Sequence, residues 1–470
     1  MKAWVLHGIN EIRLETVELP ALESGQALVA VKAAGICGSD IPRIYRTGAH
    51  RHPLIPGHEF SGVVESVGKE TDSAWLGKRV GVFPLIPCGA CGPCIKGQYE
   101  MCRNYGYLGS RRDGGFAEYV AVPAGNLIEL PDCVSFEEAA MLEPMAVAVH
   151  AMRRVLPEES RSESGPTGDV NASGQVVHGG SAKPDWSEPG PTGAVNVSGQ
   201  ATHGGSAKSD WSESGPTGAV NASGQTTHGE SRKPEQALPS ETDGIGQSMN
   251  QPQTDAVAPQ AVEGILPAGT GVEETIVVFG LGTIGLLLTA LLLERGKSRR
   301  KSGSSGGRVL VIGNKDFQRQ KILELGLSAE AYCDSRAQDA GRWILERTGG
   351  RGGDVIFECV GRNETLRQAV DSAAPAGRIC LVGHPASDMA LEREVYWKIL
   401  RNQLTVTGTW NSSFSHKASD DWHYALERLS RKDLMPRRLI SHRFSLEEME
   451  KGLHIMRDKS EDYVKIMAVI

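Results

Sequence analysis

Residues 275–293, TIVVFGLGTIGLLLTALLL, run for 19 positions without a charge. That is long enough to cross a bilayer. The order of residue types argues otherwise. A β-branched run comes first, then Gly280, Gly282 and Gly285, then an apolar stretch, which reads as strand, turn and buried helix. A G-x-G-x-x-G sequence between strand and helix permits a tight turn and lets a pyrophosphate approach the helix N-terminus. The expected dinucleotide contacts are therefore Gly280, Gly282, Thr283, Ile284 and Gly285. Further strand-like runs follow at RVLVIG, AYCD, GDVIFECVG, RICLVG and LTVTGTW, mostly with helical segments between them. This alternation predicts an α/β unit with a doubly wound parallel sheet. No membrane span is expected.

The end of the second strand should identify the dinucleotide. NAD-binding folds usually place Asp or Glu there for the ribose 2′-hydroxyl. Here the residues are Val311, Ile312, Gly313, Asn314 and Lys315, with Arg319 nearby. A small residue stands in for the acid and two cations lie close, which favours NADP over NAD. Asp316 is a possible late substitute for the acid.

Two sets of metal-binding residue types lie upstream. Cys88, Cys91, Cys94 and Cys102 are spaced C-x2-C-x2-C-x7-C. Short C-x2-C steps let one loop wrap a tetrahedral structural zinc. A disulfide pair or an iron–sulfur cluster are the rival readings. The second set is Cys37 in GICGSD, His58 in PGHEF and Glu143 in LEP. A catalytic zinc needs three protein ligands and one open position, and cysteine, histidine and carboxylate satisfy it. A dinucleotide fold downstream favours zinc at both sites.

Residues 1–156 lean towards β structure, with short runs such as ALVAVKAAG, FSGVVESVG, RVGVFP and FAEYVAV between Gly and Pro signals. They close on a helix expected over 136–155, with Ser135 as N-cap and Glu138 completing a capping box. Residues 157–270 then change character. A 25-residue unit recurs, aligning Gly165, Gly190 and Gly215 and also His178, His203 and His228. Its Gly, Ser, Pro and Thr content cannot offset the entropy of ordering, so a disordered insertion is expected. A short polar loop, KSRRKSGSSGG, is expected before the second strand of the sheet. The tail from residue 445 reads as helix then strand.

Net charge is −7 and pI about 6.0, which argues against bulk nucleic-acid binding. Nine cysteines, an odd number, and an opening MKAWVLHGIN without a long apolar run point to a reducing, cytoplasmic setting.

The motifs CGSD (37–40), GHE (57–59), the cysteine ladder, DGGFAEY (113–119), EP (143–144) and GLGTIG (280–285) together resemble the zinc-dependent medium-chain dehydrogenase family. The likeness covers almost all of the chain outside 157–270. It implies a GroES-like β catalytic domain over 1–156, completed by 412–470, and a Rossmann domain over 271–411. It also implies two zinc ions per subunit and a homodimer or homotetramer. Cys37, His58 and Glu143 would hold the catalytic zinc, the four ladder cysteines the structural one, and Glu59 would be a supporting or exchanging ligand. Ser39 would take the substrate hydroxyl proton and pass it outward. Relatives often place a relay histidine where Ile41, Pro42 and Arg43 stand here, with His50 and His52 as possible substitutes. Val360 and Val382 join the expected cofactor contacts.

The segments 37–50, 108–119 and 399–410 are similar to those of members acting on a polyol phosphate, implying oxidation of galactitol 1-phosphate to tagatose 6-phosphate with NAD(P). Arg suits phosphate because its planar donors bind two oxygens at once, so Arg43, Arg111 and Arg112 are the expected phosphate contacts. The alternatives are an unphosphorylated polyol or threonine dehydrogenase, and a catalytically silent binding relative. No nucleic-acid or membrane partner is expected.

Overall fold

The computed structural model describes residues 1–156, 273–385 and 387–470. The repeat insertion expected over 157–270 lies outside the described residues.

The N-terminal part is built on a sheet whose strand order is Ile440–Phe444, Lys465–Val469, Gln26–Ile36, Glu59–Val67, Arg79–Val82 and Leu127–Glu129, with Tyr119–Pro123 also pairing Gln26–Ile36. Two of these strands come from the tail. Lys465–Val469 pairs antiparallel with Gln26–Ile36, setting Met467 opposite Gly35, so the C-terminal strands join the N-terminal sheet. A hairpin of Lys2–Gly8 and Glu11–Thr16 stands apart from this sheet.

The helix expected over 136–155 is two helices, Phe136–Ala140 and Leu142–Val155. Ser135 and Glu138 form the expected capping box. The break has a covalent cause: Pro144 has no N–H to donate to the Ala140 carbonyl, and its ring would crowd that oxygen. The restart puts Glu143 in the first turn of the second helix. Downstream, the polar run expected as a loop is helical as far as Lys301, because the helix is Thr283–Lys301. Lys and Arg are good helix formers and suit a helix C-terminus.

The second sheet has six parallel strands in the order Tyr332–Asp334, Arg308–Gly313, Thr275–Phe279, Gly353–Glu358, Ala373–Leu381 and Thr405–Gly408. Thr275–Phe279 is buried throughout, as a parallel strand covered on both faces should be. Strand order reverses on either side of it, and ligands of such sheets bind at the carboxyl ends beside that reversal. The apolar run at 275–293 is thus the first strand, the glycine turn and the start of a buried helix. Among the described residues, no helix is long and apolar enough to cross a membrane. One core joins the two domains, running from Met145, Val149 and Met152 to Leu287, Leu291 and Trp422.

The two borders of the insertion meet at one side chain. Arg378 donates from Nη1 to the Val155 carbonyl and from Nη2 to Glu274 Oε1, both at 2.5 Å. Arg351 holds the Glu273 carbonyl and the Thr275 hydroxyl. Loop-closure cost grows slowly with length, so ends fixed this close can be joined by a long or a short connection. Deleting residues 160–262 should leave the melting temperature within a few degrees of the full chain. Arg378→Ala should lower it by several degrees, about 1–2 kcal/mol for two lost charge-assisted bonds. Thermal unfolding followed by circular dichroism checks both.

Candidate active site and cofactor crevice

The cysteine ladder folds into a small lobe. The sulfurs of Cys88, Cys91, Cys94 and Cys102 all lie within 4.8 Å of one another. The Cys91 and Cys94 sulfurs are 3.4 Å apart, far beyond a disulfide bond, and all nine cysteines are free thiols. The short helix Gly92–Ile95 and left-handed glycines at 89 and 97 turn the chain around the cluster. Backbone N–H groups of Arg103 and Cys94 hold the Cys91 thiol down to about 6. A convergent four-sulfur set with a thiolate-prone member fits a closed tetrahedral zinc.

The second cluster forms where two strands meet. Cys37 follows Gln26–Ile36, and His58 precedes Glu59, the first residue of Glu59–Val67. The pairing of these strands sets Gly35 opposite Glu59. A Cβ at position 35 would lie 2.3 Å from Glu59 Oε2, so glycine is required for the carboxylate to sit there. Ligand atoms of Cys37, His58 and Glu59 all lie within 4.8 Å of one another. His58 is buried and its Nδ1 faces Asp40 Oδ1 at 3.4 Å, which leaves Nε2 as the nitrogen available to a metal. Sulfur, imidazole and carboxylate form a donor set that fits zinc.

Glu143, expected in that set, lies outside this circle of ligand atoms. It is buried and accepts a hydrogen bond from the Tyr107 hydroxyl at 3.3 Å. Burial, reinforced by the Glu59 carboxylate and opposed by His58, pushes its carboxyl up to about 7. Glu59 itself is bound by Lys465, whose Nζ reaches Oε1 at 2.7 Å and Oε2 at 2.5 Å, and also the Ile36 carbonyl. Ser39 is partly exposed and donates to Cys37 Sγ at 3.3 Å.

Three residues that the motifs left without a role complete the surroundings. Asp40 is fully buried; it accepts from the Cys37 amide and from Arg43 Nη1, and its Oδ1 lies 3.4 Å from His58 Nδ1. Burial opposes its charge, but His58 and Arg43 hold its carboxyl below the ordinary range. Tyr107 meets His58 edge-on, with ring centroids 5.8 Å apart. Lys465 arrives from the far end of the chain. Asp40 was visible inside CGSD; nothing in the sequence marked Tyr107 or Lys465.

The expected phosphate contacts are placed unequally. Arg43 is engaged by Asp40 at 2.5 Å and only 17% exposed. Arg111 lies over the Tyr105 ring at 4.8 Å, and Tyr105 packs edge-on against Tyr107, so an aromatic chain leads from Arg111 to His58. Arg112 is exposed. His50 is pushed down by burial and by the charges of Arg111 and Arg43, which places it among them. His52 is turned inward, near the Ala49 amide and the Leu6 carbonyl.

The dinucleotide crevice opens at the glycine motif. Gly280 has φ +88°, and a Cβ there would meet Val360 Cγ2 at 2.6 Å. A Cβ on Gly285 would strike the Gly280 carbonyl at 1.9 Å, whereas one on Gly282 would meet nothing within 4 Å. Gly282 caps Thr283–Lys301 without a side-chain hydrogen bond, so an open cradle lies over the amides of a long helix, which fits a pyrophosphate. Thr283 donates its hydroxyl to the Val464 carbonyl, and Ile284 is half-buried.

At the end of the second strand, a Cβ on Gly313 would come within 2.8 Å of Tyr332 Cε2 and 2.9 Å of Gln318 Oε1. There is no room there for an acidic side chain. Gln318 accepts from the Asn314 amide and donates to the Leu281 carbonyl, tying this turn to the glycine motif. Lys315 pairs with Asp462 at 3.1 Å and Arg319 is exposed. Asp316, the substitute acid, pairs with Arg336 at 2.5 Å. Val360 and Val382 sit at the ends of the next two strands, and their amides bond to Glu358.

Residues 23–132 match the family model of the alcohol dehydrogenase GroES-like domain, and residues 303–431 that of the zinc-binding dehydrogenases. Galactitol 1-phosphate 5-dehydrogenase of Escherichia coli strain K12 is 24% identical over 454 residues, covering 96% of this chain and 95% of that protein. A zinc-binding dehydrogenase of Sinorhizobium meliloti 1021, solved bound to NADP, has the same fold with TM-score 0.66 at 21% identity, covering 100% of this chain and 99% of the other. An alcohol dehydrogenase of Escherichia coli CFT073, solved with NADH, has TM-score 0.67 at 22% identity with the same coverage. With a GroES-like domain and a parallel dinucleotide-binding sheet in the order the sequence implied, the chain belongs to the zinc-dependent medium-chain dehydrogenases of the alcohol and polyol dehydrogenase type.

Proposed function

We propose that the chain transfers a hydride between the secondary alcohol of a polyol phosphate and NADP, most specifically from galactitol 1-phosphate to give tagatose 6-phosphate. The observation that carries this reading is the convergence of Cys37 with the buried His58 and Glu59 in one domain, with buried Glu143 outside that circle, in the same compact unit as a glycine cradle that fits a pyrophosphate. Cys37, His58 and Glu143 would hold a catalytic zinc, and Cys88, Cys91, Cys94 and Cys102 a structural one. When bound, zinc acidifies a hydroxyl and the nicotinamide accepts the hydride.

The rest falls to the chain's own residues. Ser39, exposed beside Cys37, can accept the substrate proton and release it to solvent. Asp40 fixes the Cys37 amide and faces the His58 ring. Lys465 neutralises Glu59, leaving Glu143, which accepts a hydrogen bond from the Tyr107 hydroxyl and pairs with no lysine or arginine among the described residues, as the more available carboxylate. Arg111 offers a cationic donor for the substrate phosphate. The crowding around Gly313 excludes a ribose-binding acid, which supports NADP. The free cysteines suit a reducing compartment such as the cytoplasm.

The engagement of Arg43 by Asp40 favours a second reading, an unphosphorylated polyol as substrate. Steady-state rates on galactitol 1-phosphate, sorbitol and threonine with NAD and NADP separate the two. Arg111→Ala should raise KM at least about tenfold for the phosphorylated polyol, the scale of one lost charge-assisted contact, and leave sorbitol untouched. An equal loss on both substrates would sink the phosphate assignment.

Metal analysis tests the ligands. The wild type should carry two zinc ions per chain. Glu143→Gln should lose one, and Glu59→Gln should keep both; the reverse pattern assigns the third position to Glu59.

We also infer a homodimer. The helix Arg393–Arg401 and the edge strand Thr405–Gly408 expose Tyr396, Trp397, Leu400, Val406 and Trp410, with Trp397 54% and Trp410 57% accessible. An apolar patch along the open edge of a strand is a pairing surface, and a two-fold axis lets the same strand meet itself. Light scattering should give a dimer for the wild type and a monomer for Trp397→Glu combined with Leu400→Glu.

A further inference from the structure

Glu358 is a buried carboxylate that neither the zinc sites nor the glycine motif uses. It is the last residue of Gly353–Glu358 and pairs with Phe279, the residue just before Gly280. It therefore stands at the strand reversal, where a bound dinucleotide crosses the sheet edge. It is 2% exposed, and no lysine or arginine pairs with it among the described residues. A charge so placed is costly unless hydrogen bonds satisfy it.

Those bonds all come from the crevice. Oε1 accepts from the Val360 amide at 2.9 Å, the Gly361 amide at 3.0 Å and the Thr365 hydroxyl at 2.8 Å, and Oε2 from the Gly361 amide at 3.1 Å. The backbone carbonyl of the same residue accepts from the amides of Val382 and Gly383, both at 2.8 Å. One residue thus fixes two loops that begin at neighbouring strand ends. The loops touch: a Cβ on Gly383 would lie 2.2 Å from the Gly361 amide nitrogen, and one on Gly361 2.2 Å from the His384 carbonyl. Val360 in turn lies against Gly280, the first glycine of the dinucleotide motif.

We propose that Glu358 is a positioning residue for the nicotinamide dinucleotide, its carboxylate and its carbonyl together setting the loops at 359–361 and 382–383 that line the crevice beside the glycine turn. A carboxylate is needed because one oxygen accepts three donors. An amide oxygen is a weaker acceptor, and the amide NH2 beside it would face the Gly361 N–H. The inference rests on the dinucleotide reading given under the proposed function.

The test uses the full-length, zinc-loaded protein and titrates NADPH and NADH by nucleotide fluorescence at low temperature. Glu358→Gln should weaken the reduced cofactor that the wild type binds by about tenfold or more, the scale of lost hydrogen bonds to a charged group, with zinc content and circular dichroism unchanged. Thr365→Val removes one donor and keeps the charge; it should weaken binding about threefold. A merely structural carboxylate would lower the melting temperature of both variants and leave both dissociation constants within twofold of wild type, and that result overturns the proposal. If Glu358→Gln yields no folded protein, Thr365→Val decides alone on the same criterion. A wild type that binds neither nucleotide overturns the dinucleotide reading and this inference with it; a binding wild type with unaffected variants overturns this inference only.

Discussion

The antiparallel pairing of Lys465–Val469 with Gln26–Ile36 is the constraint on which the rest of the molecule depends. Through it the chain's end returns to its beginning, and three consequences follow within a few residues. Lys465 is carried to Glu59, where it neutralises a carboxylate that could not otherwise stay charged in a buried site. The Val464 carbonyl receives the Thr283 hydroxyl at the first residue of the dinucleotide helix. Asp462 reaches Lys315 in the turn after the second parallel strand. A segment of four residues therefore touches the cluster of Cys37, His58 and Glu59, the helix after the glycine turn and the turn after the second parallel strand. Sheet pairing fixes register because a one-residue slip turns every side chain to the other face. Here a slip would withdraw Lys465 from Glu59 and place Ile466 against the carboxylate.

Charge is managed differently in each half of the site. Around Cys37 the buried groups form a compensated set: Asp40 with Arg43 and His58, Glu59 with Lys465. Glu143 is left with a tyrosine hydroxyl and no cation, and burial raises it. A buried carboxylate held only by a neutral hydroxyl is unfavourable when charged, and a divalent cation would relieve that cost. In the crevice the compensation uses dipoles instead, as Glu358 collects amides and a hydroxyl. The two solutions suit their tasks. A cation bound to a carboxylate competes with a metal for its oxygens, and here Lys465 binds Glu59 and not Glu143. Dipoles carry no net charge, so the crevice can hold its loops without a cation that would bind the pyrophosphate elsewhere.

Local grammar made the parallel sheet legible. The six strand-like runs of the second half are its six strands, because a strand buried on both faces reads as a continuous apolar run bounded by Gly and polar turns. The cysteine ladder was equally plain, since its convergence is set by spacing within one loop. The third position of the other cluster was harder. Glu143 was expected beside Cys37 and His58, but the fold sets Glu59 there, since adjacent residues at a strand start can both face one ligand while residues 85 apart need tertiary placement. Tyr107 and Lys465 had no motif of their own; their roles exist only through pairings between distant segments. Arg43 carried the right residue type for phosphate, and only the structure reveals that Asp40 already holds it. The break at Met141 followed from Pro144 and was readable in principle, but the capping box at Ser135 and the apolar run beyond it suggested one continuous helix.

The place where the insertion joins bears on how such a sequence can coexist with a demanding active site. The chain leaves after Val155 and returns before Thr275, the first residue of the first parallel strand. Both borders are held by Arg378, which lies in Ala373–Leu381 and pairs with Val355 in Gly353–Glu358. These anchor points are at or towards the amino ends of the strands. The glycine turn, Gly313, Glu358 and Val382 are all at the carboxyl ends, and the strand from Thr275 to Phe279 separates the two edges by about 13 Å. A sheet of this kind binds its ligand at one edge only, so the opposite edge is free to vary. Within the described residues, the constraint is met by one guanidinium that closes the gap.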